Sequence, residues 1–254
     1  MHDWRFILGW LRSILLTNNL IYLYTIVLGT ISLAGSLFDR QGRFQHRVAR
    51  AWARLILFTS RVQVQVHGRE NLDPQQAFVY CANHLSFMDT PVLFSLPIEF
   101  RILAKKTLFS VPFLGWHLRR SGHLAVDRAD ARASLRSFEQ AVQKIRGGTS
   151  LFFFPEAGRS QDGRLQPFKS GPFLLAIKAG VPVVPVAVWG TREILPISSV
   201  YVRPGRVKLT VSRPIPTAGM TLKDVERLAT AVRDEIARHL PAWAGTEANH
   251  QQLP

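Results

Sequence analysis

Between Ser13 and Phe38 the chain runs 26 residues without a charged side chain, SILLTNNLIYLYTIVLGTISLAGSLF. A helix needs about 20 apolar residues to cross the hydrocarbon of a bilayer, so this stretch is a membrane segment or a buried helix. Three membrane readings compete: a secretory signal, a spanning helix, and a segment that enters the bilayer without crossing it. A signal peptide has an apolar region of about 7–15 residues and a small-residue cleavage site; this stretch is longer, and only SLAGS resembles such a site. Asn18 and Asn19 interrupt it, and a polar pair at mid-depth is costly unless satisfied. The uninterrupted helix is therefore expected from Leu20 to Phe38, which favours a hairpin or shallow insertion.

The segment that follows places Arg40, Arg43, Arg47, Arg50 and Arg54 at spacings of three and four, one cationic stripe on a helix. Its other face carries Phe44, Val48, Trp52, Leu55 and Phe58. Such a pattern alone describes a solvated surface helix; directly after the uncharged stretch it describes a helix lying on anionic headgroups. Arg5 and Arg12 precede the stretch as Arg40 and Arg43 follow it, so charge asymmetry sets no orientation.

The whole chain of 254 residues carries 32 Lys and Arg against 17 Asp and Glu, a formal charge of +15. That excess seeks an anionic partner: nucleic acid, acidic lipid, or a phosphorylated or CoA-bearing substrate. A hydrophobic fraction of 47% puts lipid ahead of nucleic acid, because nucleic-acid binders gain charge at the expense of apolar residues. A single cysteine, Cys81, excludes an intrachain disulfide and a Cys-rich metal site.

Beyond residue 60 short apolar runs alternate with amphipathic stretches, the pattern of an α/β domain. VQVQVH, AFVYCA, HLAV, SLFFF, PVVPVAV and RVKLTV are the strand candidates. A helix is expected from Asp130 as cap to Gly147 and Gly148, with Leu135, Phe138, Val142 and Ile145 inward. A second opens at Thr221 and buries Leu222, Val225, Leu228, Val232 and Ile236. The resulting division is a membrane-associating segment, 1–59, an α/β domain, 60–241, and a disordered tail, 242–254.

Several chemistries fall away. GRSQDGRL at 158–165 imitates a phosphate-binding loop, but Arg164 and Leu165 stand where the Lys and Ser/Thr are required. There is no G-x-S-x-G elbow, no H-E-x-x-H pair and no aromatic ribonucleoprotein signature. What remains is CANHLSFMDT, residues 81–90. AFVYCAN reads as a buried strand ending at Asn83 and His84, and strand ends are where α/β sites collect. Inside one regular helix, five steps of about 100° would hold His84 and Asp89 roughly 140° apart, so His84 must precede the helix. Asp89 can then fold back onto one ring nitrogen, fixing the tautomer and making the other nitrogen a base for a substrate hydroxyl. On this decapeptide alone, a satisfied structural histidine is an equal alternative.

Four ordered blocks break the tie: NHLSFMD; KKTLFSVPFLGWHLRRSGHLAVDR, 105–128; FPEAGRS, 154–160; and VPVVPVAV, 181–188. Over residues 60–215 the chain resembles the glycerolipid acyltransferases of the lysophosphatidic acid (1-acylglycerol-3-phosphate) type. The resemblance implies a mixed sheet flanked by helices, with His84 as base and Asp89 as its partner. It also implies an acceptor site made by Asn83, Lys105, Arg128, Glu156, Gly158 and Arg159. Thr107 departs from the family's usual Glu, and Ala157-Gly158 from its usual Gly-Thr.

The expected reaction transfers a fatty acyl group from acyl-CoA or acyl-carrier protein to 1-acylglycerol-3-phosphate, giving phosphatidic acid, with no metal and no resident cofactor. Its setting would be an anionic membrane surface, the cytoplasmic face of the plasma (inner) membrane, reached through the N-terminal helices and on the side where acyl donors are made. Another lysolipid or glycerol-3-phosphate as acceptor, a lipid-binding protein without catalysis, and a nucleic-acid module are the alternatives; intact His84 and Asp89 argue against the second.

Overall fold

Runs of Val, Phe and Leu too short for helices form strands, and the amphipathic stretches between them form helices. The computed structural model describes residues 4–39, 41–127 and 131–245. In chain order these are α1 (Trp4–Arg12), α2 (Asn18–Gly35), α3 (Arg43–Thr59), β1 (Val62–His67), β2 (Val79–Ala82), α4 (Asp89–Phe94), β3 (Phe100–Lys105), α5 (Leu114–Arg120) and β4 (Leu124–Val126). There follow α6 (Ala131–Arg146), β5 (Ser150–Phe153), α7 (Gly171–Ala179), β6 (Val183–Trp189), α8 (Thr191–Ile194), β7 (Gly205–Val211), α9 (Val225–Arg238) and α10 (Ala242–Gly245). The strands make a mixed sheet in the order β1-β7-β6-β2-β5-β3-β4, so the α/β expectation holds. Each of the six expected strands is present. The seventh, β3, was not expected, because Arg101 and Lys105 break its apolar run.

The chain divides into two compact units. The first comprises Met1–Gln65, Ser86–Ser137 and Gly190–Val207. Here α1 and α2 are joined by a π-helical turn, Ser13–Thr17, so helical backbone continues through the asparagines instead of stopping there. The reason is local satisfaction: Asn19 donates to the carbonyls of Ile14 and Leu15, and Asn18 to that of Val200, each at 2.9 Å. Ser13 adds a bond from its hydroxyl to Val200 O and accepts from Val202 N–H. Phe6–Gly35 is one helical run long and apolar enough to cross a membrane, and little of it is buried. α2 ends at Gly35, short of the expected Phe38, and Asp39 then accepts from the N–H groups of Gln41, Gly42 and Phe44. Gly42 takes φ 78°, and a Cβ there would lie 2.6 Å from Ser121 O; only glycine fits that turn.

α3 packs back against α2, with Trp52 Nε1 donating to Thr25 Oγ1 at 3.0 Å. Its buried residues are Gln45, His46, Val48, Ala49, Ala53, Ile56 and Leu57. Leu55 and Phe58, on the apolar face opposite the arginines, are exposed, Phe58 at 82%. Arg43, Arg47 and Arg54 are exposed and Arg50 half-buried; Arg40 lies outside the described residues. Deeper in this unit, His46 meets Ile98 O at 2.9 Å and His117 meets Ser32 Oγ at 2.6 Å. Burial above all, with the Arg101 charge nearby, lowers both rings to about 4. Arg101 is buried yet satisfied, by Glu99 Oε1, Phe100 O and Gln41 O, which is how a strand with an arginine in it survives.

The second unit comprises Val66–Leu85, Phe138–Trp189 and Lys208–Pro254. β2 pairs parallel with β5 and β6, and β6 antiparallel with β7. β2 and β5 are buried along their whole length and β6 up to Trp189, each large apolar side chain contributing about 2 kcal/mol. α9 covers β6 with Val225, Leu228, Val232 and Ile236; Leu222 sits in the preceding 3-10 turn and is exposed. Thr221 and Asp224 form a reciprocal capping box there. In α6, Ala141, Val142 and Ile145 are buried but Leu135 is exposed, so only the later turns are covered. Asp130 lies outside the described residues, as does the tail from 246; Ala242–Gly245, expected to be disordered, forms a short helix.

Candidate active site

β2 ends at Ala82, and the next residue is fixed twice. Asn83 donates from its amide nitrogen to Val188 O at 2.9 Å and accepts from Val188 N–H at 2.7 Å. The side chain thereby pairs with the β6 backbone as a further strand residue would, and it is 1% exposed. His84 follows, half-buried, before α4 begins at Asp89, as the spacing argument required.

Glu156, Ser160 and Phe154 hold His84. Its N–H donates to Glu156 Oε1 at 2.6 Å, its carbonyl accepts from Ser160 N–H at 2.8 Å, and its ring stacks on Phe154 with centroids 3.9 Å apart and 16° between planes. Glu156 is itself buried, and its second oxygen accepts from Gln166 N–H at 2.8 Å. The third motif block thus organises the histidine: Phe154 fixes the ring, Glu156 and Ser160 the backbone. Sequence reading did not single out Phe154, since an aromatic residue closing an apolar run reads as core.

The turn after Phe154 carries the departures. Ala157 adopts φ 65°, a left-handed conformation that costs a residue with a Cβ about 1–2 kcal/mol. Gly158 is exposed, and a Cβ there would meet nothing within 4 Å. Arg159 is half-exposed.

Asp89 and Lys105 belong to the first unit, whereas Asn83, His84, Glu156, Gly158 and Arg159 belong to the second. Asp89 is wholly buried at the first position of α4, and Oδ2 accepts from Ser86 N–H at 2.9 Å. Lys105 is exposed at the end of β3, and Thr107 is exposed in the 3-10 turn after it. Neighbouring Lys106 pairs with Asp127 at 2.9 Å. Arg128 lies outside the described residues. Among the described residues no three His, Cys, Asp or Glu side chains are grouped to hold a metal ion.

A family model described as Acyltransferase matches residues 63–189. A chloroplastic 1-acyl-sn-glycerol-3-phosphate acyltransferase of Brassica napus is 37% identical over 182 residues, 70% of this chain and 53% of that one. The Chlamydomonas reinhardtii enzyme of the same description is 36% identical over 207 residues, 80% and 61% respectively. The Saccharomyces cerevisiae enzyme is 31% identical over 210 residues, 81% and 69%. The chain thus spans about half to three fifths of the plant and algal relatives. Among solved structures, the 1-acyl-sn-glycerophosphate (LPA) acyltransferase PlsC of Thermotoga maritima superposes with a TM-score of 0.73 at 27% identity, over 90% of this chain and 95% of that one.

Proposed function

This chain belongs to the acyltransferase family, and from that premise we propose that it acylates the free hydroxyl of 1-acylglycerol-3-phosphate, giving phosphatidic acid. The observation that carries the reading is the way His84 is held before any substrate arrives, its backbone on buried Glu156 and its ring on Phe154. A base so fixed loses little freedom when the reaction starts. The neutral ring takes the proton of the lysolipid hydroxyl as that oxygen attacks the carbonyl of an acyl thioester. The C–S bond breaks as the tetrahedral intermediate collapses, and the proton passes to the departing thiolate. Asp89, five residues on, holds the tautomer and stabilises the imidazolium.

Asn83 and Glu156 serve this chemistry by fixing the histidine turn. Lys105 and Arg159 hold the acceptor phosphate, Arg159 through a planar fork, and Arg128 lines the same acceptor site. The thioester comes from acyl-CoA or acyl-carrier protein, and the enzyme needs no metal or resident cofactor. Purified protein offered 1-acylglycerol-3-phosphate, lyso-ornithine lipid, another lysophospholipid and glycerol-3-phosphate should acylate the first fastest with either donor. A faster reaction with another acceptor would reassign the substrate.

Attachment to a membrane is supported by the exposed apolar face of α1 and α2, including Trp4, Trp10, Tyr22 and Ile26. The two helices with α3 form a hairpin that enters one leaflet, while Arg43, Arg47 and Arg54 rest on anionic headgroups. The domain lies on the cytoplasmic face, where donors are made. Cysteines introduced as Asp3→Cys and Gln41→Cys should both react with an impermeant reagent from that side. Native Cys81 is buried, which pushes its thiol far up, so it stays silent. Labelling from opposite sides would establish a spanning helix instead.

A further inference from the structure

Thr191 opens α8 two residues after the end of β6, three residues beyond the last motif block, and no spacing rule in the sequence points to it. Its hydroxyl lies 2.5 Å from Asp89 Oδ1, and both residues are wholly buried. A carboxylate only accepts, so the threonine donates, a short charge-assisted bond. The other oxygen, Oδ2, takes Ser86 N–H. The two donors arrive from different parts of the unit and together define the plane of the carboxylate.

The surroundings keep Thr191 in place. Gly190 has φ 100°, and a Cβ there would lie 2.4 Å from Arg206 O, so only glycine makes the turn that delivers the threonine. Ser86 Oγ donates to Leu195 O at 2.7 Å, tying the far end of α8 to the turn that carries Asp89. The β-branched side chain has few χ1 choices, which leaves the hydroxyl aimed one way.

We propose that Thr191 is a positioning residue for acyl transfer, holding the Asp89 carboxylate in the orientation from which it serves His84. The proposal rests on the reading of His84 and Asp89 as the base pair. A hydroxyl needed only for packing would affect stability and leave turnover per folded molecule alone. One that orients the carboxylate acts on kcat and leaves lysolipid binding unchanged, because Thr191 is wholly buried beneath the surface.

The test uses the purified full chain, with folded fraction checked by thermal unfolding and initial rates measured against 1-acylglycerol-3-phosphate at saturating donor. Thr191→Val keeps the shape and removes the donor. It should lower kcat by roughly ten- to a hundredfold with KM within about twofold, and Thr191→Ser should recover most of the loss. In an Asp89→Asn background, Thr191→Val should add less than about twofold, since the two groups act as one unit. Should Thr191→Val fail to fold, Thr191→Ala takes its place with the same expectations. The proposal is overturned by a kcat within twofold of wild type, by a serine variant as slow as the valine one, or by full additivity with Asp89→Asn. A fast Thr191→Val beside a slow Asp89→Asn removes the role of Thr191 alone. An Asp89→Asn enzyme as fast as wild type removes the base-pair reading and this one with it.

Discussion

α2 and β6 are both apolar stretches, yet they meet opposite surroundings. β6, with its run of valines, is buried up to Trp189. α2 exposes Tyr22, Leu23, Ile26, Val27 and Ile31 and buries only Ser32. Water alone does not explain an apolar helix face of that extent. The contrast separates two kinds of element: strands of the second unit bury their side chains around the His84 turn, and the helices of the first unit leave an apolar surface exposed, the one proposed to face lipid.

One substitution made in both places breaks the comparison most sharply. Val184→Asp puts a charge into a fully buried strand and should abolish folding, since an unpaired buried charge costs more than about 3–5 kcal/mol. Leu23→Asp should leave thermal unfolding in detergent within about 0.5 kcal/mol while weakening binding to anionic vesicles by roughly tenfold or more. Equal loss of fold in both variants would mean that α2 belongs to an ordinary core.

Acid should act on the first unit through His46 and His117. Both rings bind protons less readily folded, at about 4, than unfolded, near 6.5. The unfolded chain therefore takes up more protons between those values. Stability is greatest above about pH 6.5, falls as pH drops toward 4, and changes no further from these groups below it. The loss is about 3 kcal/mol per ring over the whole window and about 2 kcal/mol of it by pH 5, and unfolding temperatures at pH 7.5 and 5 that coincide would contradict it. Arg159→Lys should raise KM for 1-acylglycerol-3-phosphate roughly tenfold and that for the donor much less; equal changes would move Arg159 away from the acceptor phosphate. The smallest effect is expected at Ala157→Gly, which relieves a left-handed alanine and should stabilise the protein by about 1 kcal/mol in denaturant unfolding.

Much of this was legible beforehand because hydrophobic period reports directly on burial in short strands. It failed at β3, where Arg101 hid a strand whose guanidinium is satisfied by groups distant in sequence. Asn18 and Asn19 looked like an interruption because the carbonyls they bond, including Val200 O, are supplied only by the folded chain. Leu135 and Leu222 were assigned inward because periodicity names a helix face without saying how far along it a partner reaches. At the site, motif order located His84, but the stacking of Phe154 and the hold of Glu156 on a backbone N–H are three-dimensional facts with no spacing rule. Thr191 is 102 residues from Asp89, beyond any local pattern.

The most direct measurement compares wild type with His84→Ala, in acyl transfer to 1-acylglycerol-3-phosphate and in binding to anionic vesicles. The account predicts a fall in kcat of roughly 10²- to 10⁴-fold with vesicle binding and unfolding temperature unchanged. Transfer within a few-fold of wild type, or a loss that follows vesicle binding, would contradict it.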